Sequence, residues 1–92
     1  MNSKLYTIPS TVMIQVVDDE TLLYDSATGL FFALNETGAM MWDSIVRHDD
    51  LKDVHVELMD VFEVESDQLT SDMKVFVDLL AEQGLINFDT AN

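Results

Sequence analysis

The 92-residue sequence contains no cysteine, one proline, three glycines and only four lysine or arginine residues. Without cysteine there is no disulfide staple and no thiolate metal site, which permits a reducing, cytoplasmic setting. The four cations stand against eighteen Asp and Glu, for a formal net charge of −14. Displacing the counterions of a nucleic acid takes clustered cations, so nucleic-acid binding is excluded as an expectation. An anionic membrane surface would repel the chain for the same reason. The longest uncharged stretch covers 13 residues, 5–17, and is interrupted by Pro9, Ser10 and Thr11. That falls short of the roughly 20 apolar residues of a membrane-spanning helix. The N-terminal segment Met1-Asn2-Ser3-Lys4-Leu5-Tyr6 has one cation and no compact apolar core, which argues against a signal peptide. Gly29, Gly38 and Gly84 lie too far apart to build a phosphate-binding loop.

What remains is a folding sequence, 48% apolar and 24% charged. Its length suits a single domain over residues 1–92, with a core expected over about 12–88. A chain of this size buries only about 60–65% of the surface its unfolded form exposes, so it supports one core and little else.

The hydrophobic period changes near residue 35. Val12-Met13-Ile14-Gln15-Val16-Val17 is rich in β-branched residues and stops at Asp18-Asp19-Glu20. Thr21-Leu22-Leu23-Tyr24-Asp25 is a second run, and Ser26-Ala27-Thr28-Gly29 supplies turn chemistry. Leu30-Phe31-Phe32-Ala33-Leu34 is the third run. Together they predict an antiparallel meander. Leu5-Tyr6-Thr7-Ile8 is a further extended candidate. From Asn35 onward the spacing is helical. Asn35 is the expected N-cap of a helix carrying Met40, Met41, Trp42, Ile45 and Val46. A second helix follows Asp49 or Asp50, with Leu51, Val54, Leu58, Val61 and Phe62 inward. In the connection after it, Val64 is expected inward. The third helix is expected to be capped by Ser66 and to run to about Gln83, with Leu69, Met73, Phe76, Val77 and Leu80 as its inner stripe. Gly84 fits a left-handed helix stop and Leu85 the contact after it. Strands followed by helices predict an α+β domain, compatible with a winged-helix-like arrangement. Val75 and Leu79 lie off the main stripe and widen the apolar arc of the third helix.

Catalytic chemistry finds no foothold. Ser3, Ser10, Ser26, Ser44, Ser66 and Ser71 fall in the tail, turns, caps or polar helix faces, in no nucleophile motif, so a non-enzymatic role is expected. His48 and His55, seven apart beside Asp49, Asp50 and Asp53, lack the three or four converging ligands of a zinc site. They read as two solvent-facing histidines, and no metal or cofactor is expected. Twelve of the eighteen acids follow Val46 and read as a solvated surface. Trp42 is expected as a core anchor, and Met40, Met59 and Met73 as core filler.

The third strand is the informative element. In a meander whose spatial order follows the chain it lies at an edge, yet it has neither charge nor proline to blunt that edge. Three explanations compete: cover by the chain's own N-terminal residues, pairing with a second copy, or an edge kept open for an added peptide strand.

Leu22-Leu23-Tyr24-Asp25, the run Gly29 to Leu34 and Asn35-Glu36-Thr37-Gly38-Ala39-Met40-Met41-Trp42 resemble the signature of the PqqD-like family. Leu69, Asp72-Met73 to Phe76, Leu79-Leu80 and Gly84-Leu85-Ile86 extend the likeness to about residues 12–88. The strand region lacks the basic character of the PqqD of quinone-cofactor synthesis, so the chain is more similar to generic or lasso-peptide-associated members. The resemblance implies a RiPP recognition element, with strands and helices in a winged-helix-like fold. Such a domain binds the leader of a ribosomally made precursor peptide and presents it to a modifying enzyme (a protease, cyclase or radical enzyme). It also implies the site. The leader would pair with Leu30, Phe31, Phe32, Ala33 and Leu34, and the groove wall would come from Asp72, Met73, Val75, Phe76 and Leu79. A module that homodimerises through the same strand is the alternative.

Overall fold

The computed structural model describes residues 3–88. Met1 and Asn2 of the N-terminal segment, and Asp89 onward, lie outside them. The elements run β1 (Tyr6–Thr7), β2 (Val12–Val17), β3 (Glu20–Asp25), β4 (Leu30–Leu34), α1 (Glu36–Arg47), α2 (Leu51–Val61), α3 (Ser66–Glu82) and β5 (Asn87–Phe88). β2, β3 and β4 form an antiparallel sheet in that spatial order, and β1 pairs with β5 in a separate two-stranded ribbon. This is the expected α+β arrangement, with the meander ahead of the helices.

Local contacts fix the starts of α1 and α2 and the end of α3. The Asn35 side-chain oxygen accepts from the Gly38 N–H at 2.7 Å and starts α1, with Glu36 in the first turn and Arg47 in the last. The Asp50 carboxylate accepts from the Lys52 N–H at 3.0 Å and starts α2. α3 departs from expectation: Glu65, not Ser66, occupies the cap position and makes no side-chain capping bond. Its C-terminus is a Schellman turn, with Gly84 at φ +75°, Gly84 N–H donating to Ala81 O and Leu85 N–H to Leu80 O. Leu85 is buried behind it.

The core joins Leu23 of β3 to Met41, Trp42 and Ile45 of α1, Leu51, Val54 and Leu58 of α2, and Leu69, Met73, Val77 and Leu80 of α3. Not every apolar residue of the helical stripes reaches it. Met40, Val46, Val61 and Val64 are all exposed, because each lies at the margin of its stripe or in the α2–α3 connection. Met59 and Phe76 pack against the core without being enclosed.

The expectation of two solvent-facing histidines fails for His55 and is met only in part by His48, whose Nε2 is buried 3.5 Å from Glu57 Oε2. His55 is buried, and its Nε2 lies 3.2 Å from Thr70 Oγ1 and 3.4 Å from Ser66 Oγ. The α2 face that carries Leu51 and Leu58 also carries His55 against the first turns of α3, where hydroxyls satisfy the ring that burial removes from water. That contact engages the Ser66 hydroxyl, which sits one residue inside α3 from the cap position. Ser44, expected on a polar face, is likewise fully buried on the inner side of α1.

The N-terminal segment is tied down away from the meander. Lys4 O accepts from Leu51 N–H, Tyr6 N–H donates to Asp49 O, and the Asp50 carboxylate accepts from Ser3 Oγ and from Lys4 N–H at 2.8 Å. The Tyr6 hydroxyl donates into α1's C-terminal carbonyls, 2.6 Å from Ile45 O and 3.0 Å from His48 O. Burial, with Asp49, Asp50 and Asp53 nearby, raises its pKa. Tyr6 also meets Phe88 edge-on, with ring centroids 6.3 Å apart.

Candidate functional site

β4 follows a turn closed by Asp25, whose carbonyl accepts from Gly29 N–H at 2.8 Å and whose carboxylate accepts from Ala27 N–H at 3.0 Å. Gly29 takes φ +78° in the reversal into β4, a left-handed conformation that glycine adopts without the strain a Cβ brings. β4 then pairs along its whole length with β3, from Asp25↔Leu30 to Thr21↔Leu34.

The hydrogen-bonding parity of β4 follows from the hairpin before it. Val17 and Glu20 flank a two-residue loop in which Asp18 has φ +56°. Residues that flank such a loop form a hydrogen-bonded pair, and bonded pairs alternate along an antiparallel ladder. The bond from Ser26 N–H to Thr11 O, three alternations away, keeps that phase. Thr21, Leu23 and Asp25 thus direct their backbone groups toward β4, where they meet Leu34, Phe32 and Leu30. Phe31 and Ala33 are left with N–H and C=O directed to the outer edge. Among the described residues no strand pairs with that edge. Residues 3–11 do not cover it, since β1 is paired to β5 and Leu5 to Asp50.

Side chains along β4 alternate. Leu30, Phe32 and Leu34 pack against the core, whereas Phe31 and Ala33 are exposed on the opposite face. Phe31, 57% exposed, stacks on Tyr24 with centroids 4.7 Å apart. Below the free edge lies a cleft of about 350 Å³ between β4, α1 and α3. β4 contributes Phe32, Ala33 and Leu34; α1 and its cap contribute Asn35, Thr37, Gly38 and Met41; α3 contributes Asp72, Val75, Phe76 and Leu79. Val75 and Leu79 are 61% and 44% exposed, an apolar ridge that faces water one helical turn apart. Asp72 is the cleft's ionisable residue, and its carboxylate accepts from Gln68 Nε2 at 2.8 Å.

Seven of the ten residues named from sequence therefore converge here: Phe32, Ala33, Leu34, Asp72, Val75, Phe76 and Leu79. Leu30 and Phe31 belong to the strand without lining the cleft. Met73 does not belong to the wall. It is 1% exposed in the core, because it shares the inner stripe of α3 with Leu69, Val77 and Leu80. Asn35, Thr37, Gly38 and Met41 were not anticipated. The signal was present in the chain: α1 begins directly after β4, so its first turns must adjoin the strand's end. Gly38 is the close approach that makes this possible. A Cβ there would stand 3.4 Å from Phe76 Cε1 and 3.2 Å from Asn35 Oδ1.

No group of three or more potential metal ligands converges among the described residues. No helix among them is long and apolar enough to cross a membrane.

Residues 20–86, from β3 to the end of the Schellman turn, match the family described as coenzyme PQQ synthesis protein D (PqqD). The chain belongs to the PqqD family. No curated protein is significantly similar to it. Two solved structures share its fold. TbiB1 in complex with the TbiA(beta) leader peptide superposes with a TM-score of 0.76 at 21% identity, covering 94% of this chain and 98% of that one. Lasso peptide synthetase B1 complexed with the leader peptide gives 0.74 at 23% identity, covering 88% and 95%. The PqqD-family core thus includes both walls of the cleft, β4 and α3.

Proposed function

We propose that this PqqD-family chain is a RiPP recognition element, a non-catalytic adaptor that binds the leader of a precursor peptide as a strand added to β4. The observation that carries the reading is the coincidence of Phe31 and Ala33, with outward backbone groups, and the solvent-facing ridge of Val75 and Leu79 across the cleft. That both structural neighbours are complexes with leader peptides supports it.

The energies say what the peptide must be. Phe31 and Ala33 can exchange about four hydrogen bonds with an added strand, each worth roughly 0.5–1.5 kcal/mol net. Association costs about 4–15 kcal/mol, so backbone pairing alone is too weak. Peptide residues opposite Leu30, Phe32 and Leu34 point down into the cleft, two residues apart in sequence. Two or three apolar side chains there, at about 1.5–3 kcal/mol each, supply the remainder. The edge sets register and the cleft selects. By holding the leader, the domain raises the effective concentration of the core peptide at a modifying enzyme such as a protease, cyclase or radical enzyme. The absence of cysteine and the acidic surface suit a cytoplasmic home for that complex.

The test is selection of binders from a displayed library of random peptides, followed by backbone-amide NMR of the protein with each binder. The expected result is shifts that include both residues 30–34 and α3. Binders that leave both unshifted overturn the reading. So does sedimentation showing a tight dimer at micromolar concentration that excludes peptide, which would mean that β4 pairs with a second copy.

A further inference from the structure

A second and larger cleft, about 760 Å³, opens on the other flank of α1, between the β2–β3 turn and α2. Its floor is apolar, with Leu34, Met40, Leu58 and Val61. Met40 is 37% and Val61 50% exposed, although both sit on helix faces adjoining the core. On the same face of the sheet, Ile14 and Val16 of β2 are 51% and 70% exposed, because the helices do not reach that far. The rim is acidic. Asp19 and Glu20 stand at the turn, and Glu36 at the start of α1. Arg47, the cation on this rim, is engaged internally, 2.6 Å from Glu57 and 3.0 Å from Asp43. Among the described residues no Lys or Arg lies within ion-pair distance of Asp19, Glu20 or Glu36.

This cleft is not separate from the peptide edge. Leu34 and Asn35 line both. A chain that leaves β4 at Leu34 crosses these two residues and meets the acidic rim and apolar floor on the far side of α1. We propose that the second cleft receives the next segment of the bound peptide, one that carries Lys or Arg among apolar side chains. The inference rests on strand addition to β4, and it extends the recognised sequence beyond the strand. Charge selects the occupant. A second copy of this chain would bring another net charge of −14 to a rim that is already acidic, whereas a cationic segment meets unopposed carboxylates. An apolar floor under an acidic rim favours a residue such as Lys, whose stem lies on apolar surface while its ammonium reaches the rim.

The experiment uses the peptides enriched from the displayed random library. Each is synthesised at full length and as a truncated form that keeps only the alternating apolar block, shorter by about six residues or roughly 20 Å of extended chain. Enriched peptides are expected to carry a Lys- or Arg-containing block on one fixed side of the apolar block. Truncation should weaken binding about tenfold or more at low salt and much less at high salt. Glu20→Lys should remove that difference while leaving the truncated peptide's affinity unchanged, and Glu36→Gln should reduce it. Equal binding of full and truncated peptides, or a Glu20→Lys effect of equal size on both, overturns the second segment while leaving strand addition intact. Loss of amide shifts in residues 30–34 with every enriched peptide overturns strand addition itself, and the second segment with it.

Discussion

The Asn35 side-chain oxygen accepts the Gly38 N–H at 2.7 Å, and this bond sets where β4 stops and α1 begins. It also fixes a shared wall, because Asn35 borders both clefts and Gly38 forms part of the smaller one. Asn35→Ala removes the cap and is expected to cost about 1 kcal/mol of stability, read by urea denaturation. Gly38→Ala gains helix propensity of about 1 kcal/mol but brings a Cβ to 3.2 Å from the capping oxygen. Stability should therefore change by less than about 1 kcal/mol, while peptide affinity falls. Unchanged affinity would mean that the peptide does not approach α1.

The ridge of Val75 and Leu79 gives a cleaner probe than the strand. Both side chains face water, so Val75→Glu and Leu79→Glu should fold with an unchanged melting temperature. Peptide affinity should drop about tenfold or more for each, by loss of apolar burial of roughly 1.5–3 kcal/mol. Trp42, 4% exposed, reports folding independently through its emission. Retained affinity in a folded variant would move the binding surface off α3. Phe76→Asp is a poorer choice, since Phe76 packs against the core and its loss confuses unfolding with lost binding.

Proline separates the two sides of β4. Ala33 directs its N–H to the free edge, and Phe32 directs its own to Leu23. Edge positions tolerate proline where the N–H faces outward. Ala33→Pro should therefore fold and lose peptide binding, whereas Phe32→Pro should lower the melting temperature by breaking the β3–β4 ladder. Thermal denaturation and titration of the same two proteins check both halves. A destabilised Ala33→Pro alongside a stable Phe32→Pro would reverse the assigned parity.

Glu57 carries a pH signature. Arg47 donates to both of its carboxylate oxygens, at 2.6 and 2.7 Å, and holds its pKa down to about 2 from 4.5. A depressed folded-state pKa contributes stability that is complete above about pH 4.5 and lost as pH falls toward about 2. The pair is exposed to solvent, so the contribution is small and salt-sensitive. The melting-temperature difference between the natural protein and Arg47→Gln should be constant near neutral pH and close to zero at about pH 2. A difference that persists there would assign Arg47 a role outside this pair. Asp50 titrates in the same direction, lowered by Ser3, then by the Lys4 and Lys52 N–H groups.

Much of this was legible in the residues. β2 and β4 coincide with the runs read from β-branched and aromatic content, and β3 begins one residue early, at Glu20. Asn35 caps as its type requires, and Gly84 stops α3 as its freedom at positive φ allows. Val75 and Leu79 were apparent as apolar residues off the helical stripe. The failures share one cause. His55 and Ser44 are polar in type, and composition alone places polar residues outside; here both are buried, with partners for His55 supplied from α3. Met73 erred in the other direction, since the inner stripe claimed it before the cleft could.

Residue order by itself determined β2, β3 and β4, the three helices, the Asn35 cap and the chemistry available at the edge, because propensity, period and turn type act over a few neighbours in the chain. Only the tertiary structure decided that the N-terminal strand would pair with β5 and leave β4 bare, and that Gly38 would bring α1 and Phe76 of α3 together beside it. Those are contacts between segments far apart in sequence. Their choice depends on which packing of all the elements buries the apolar stripes at once, and no local pattern encodes that.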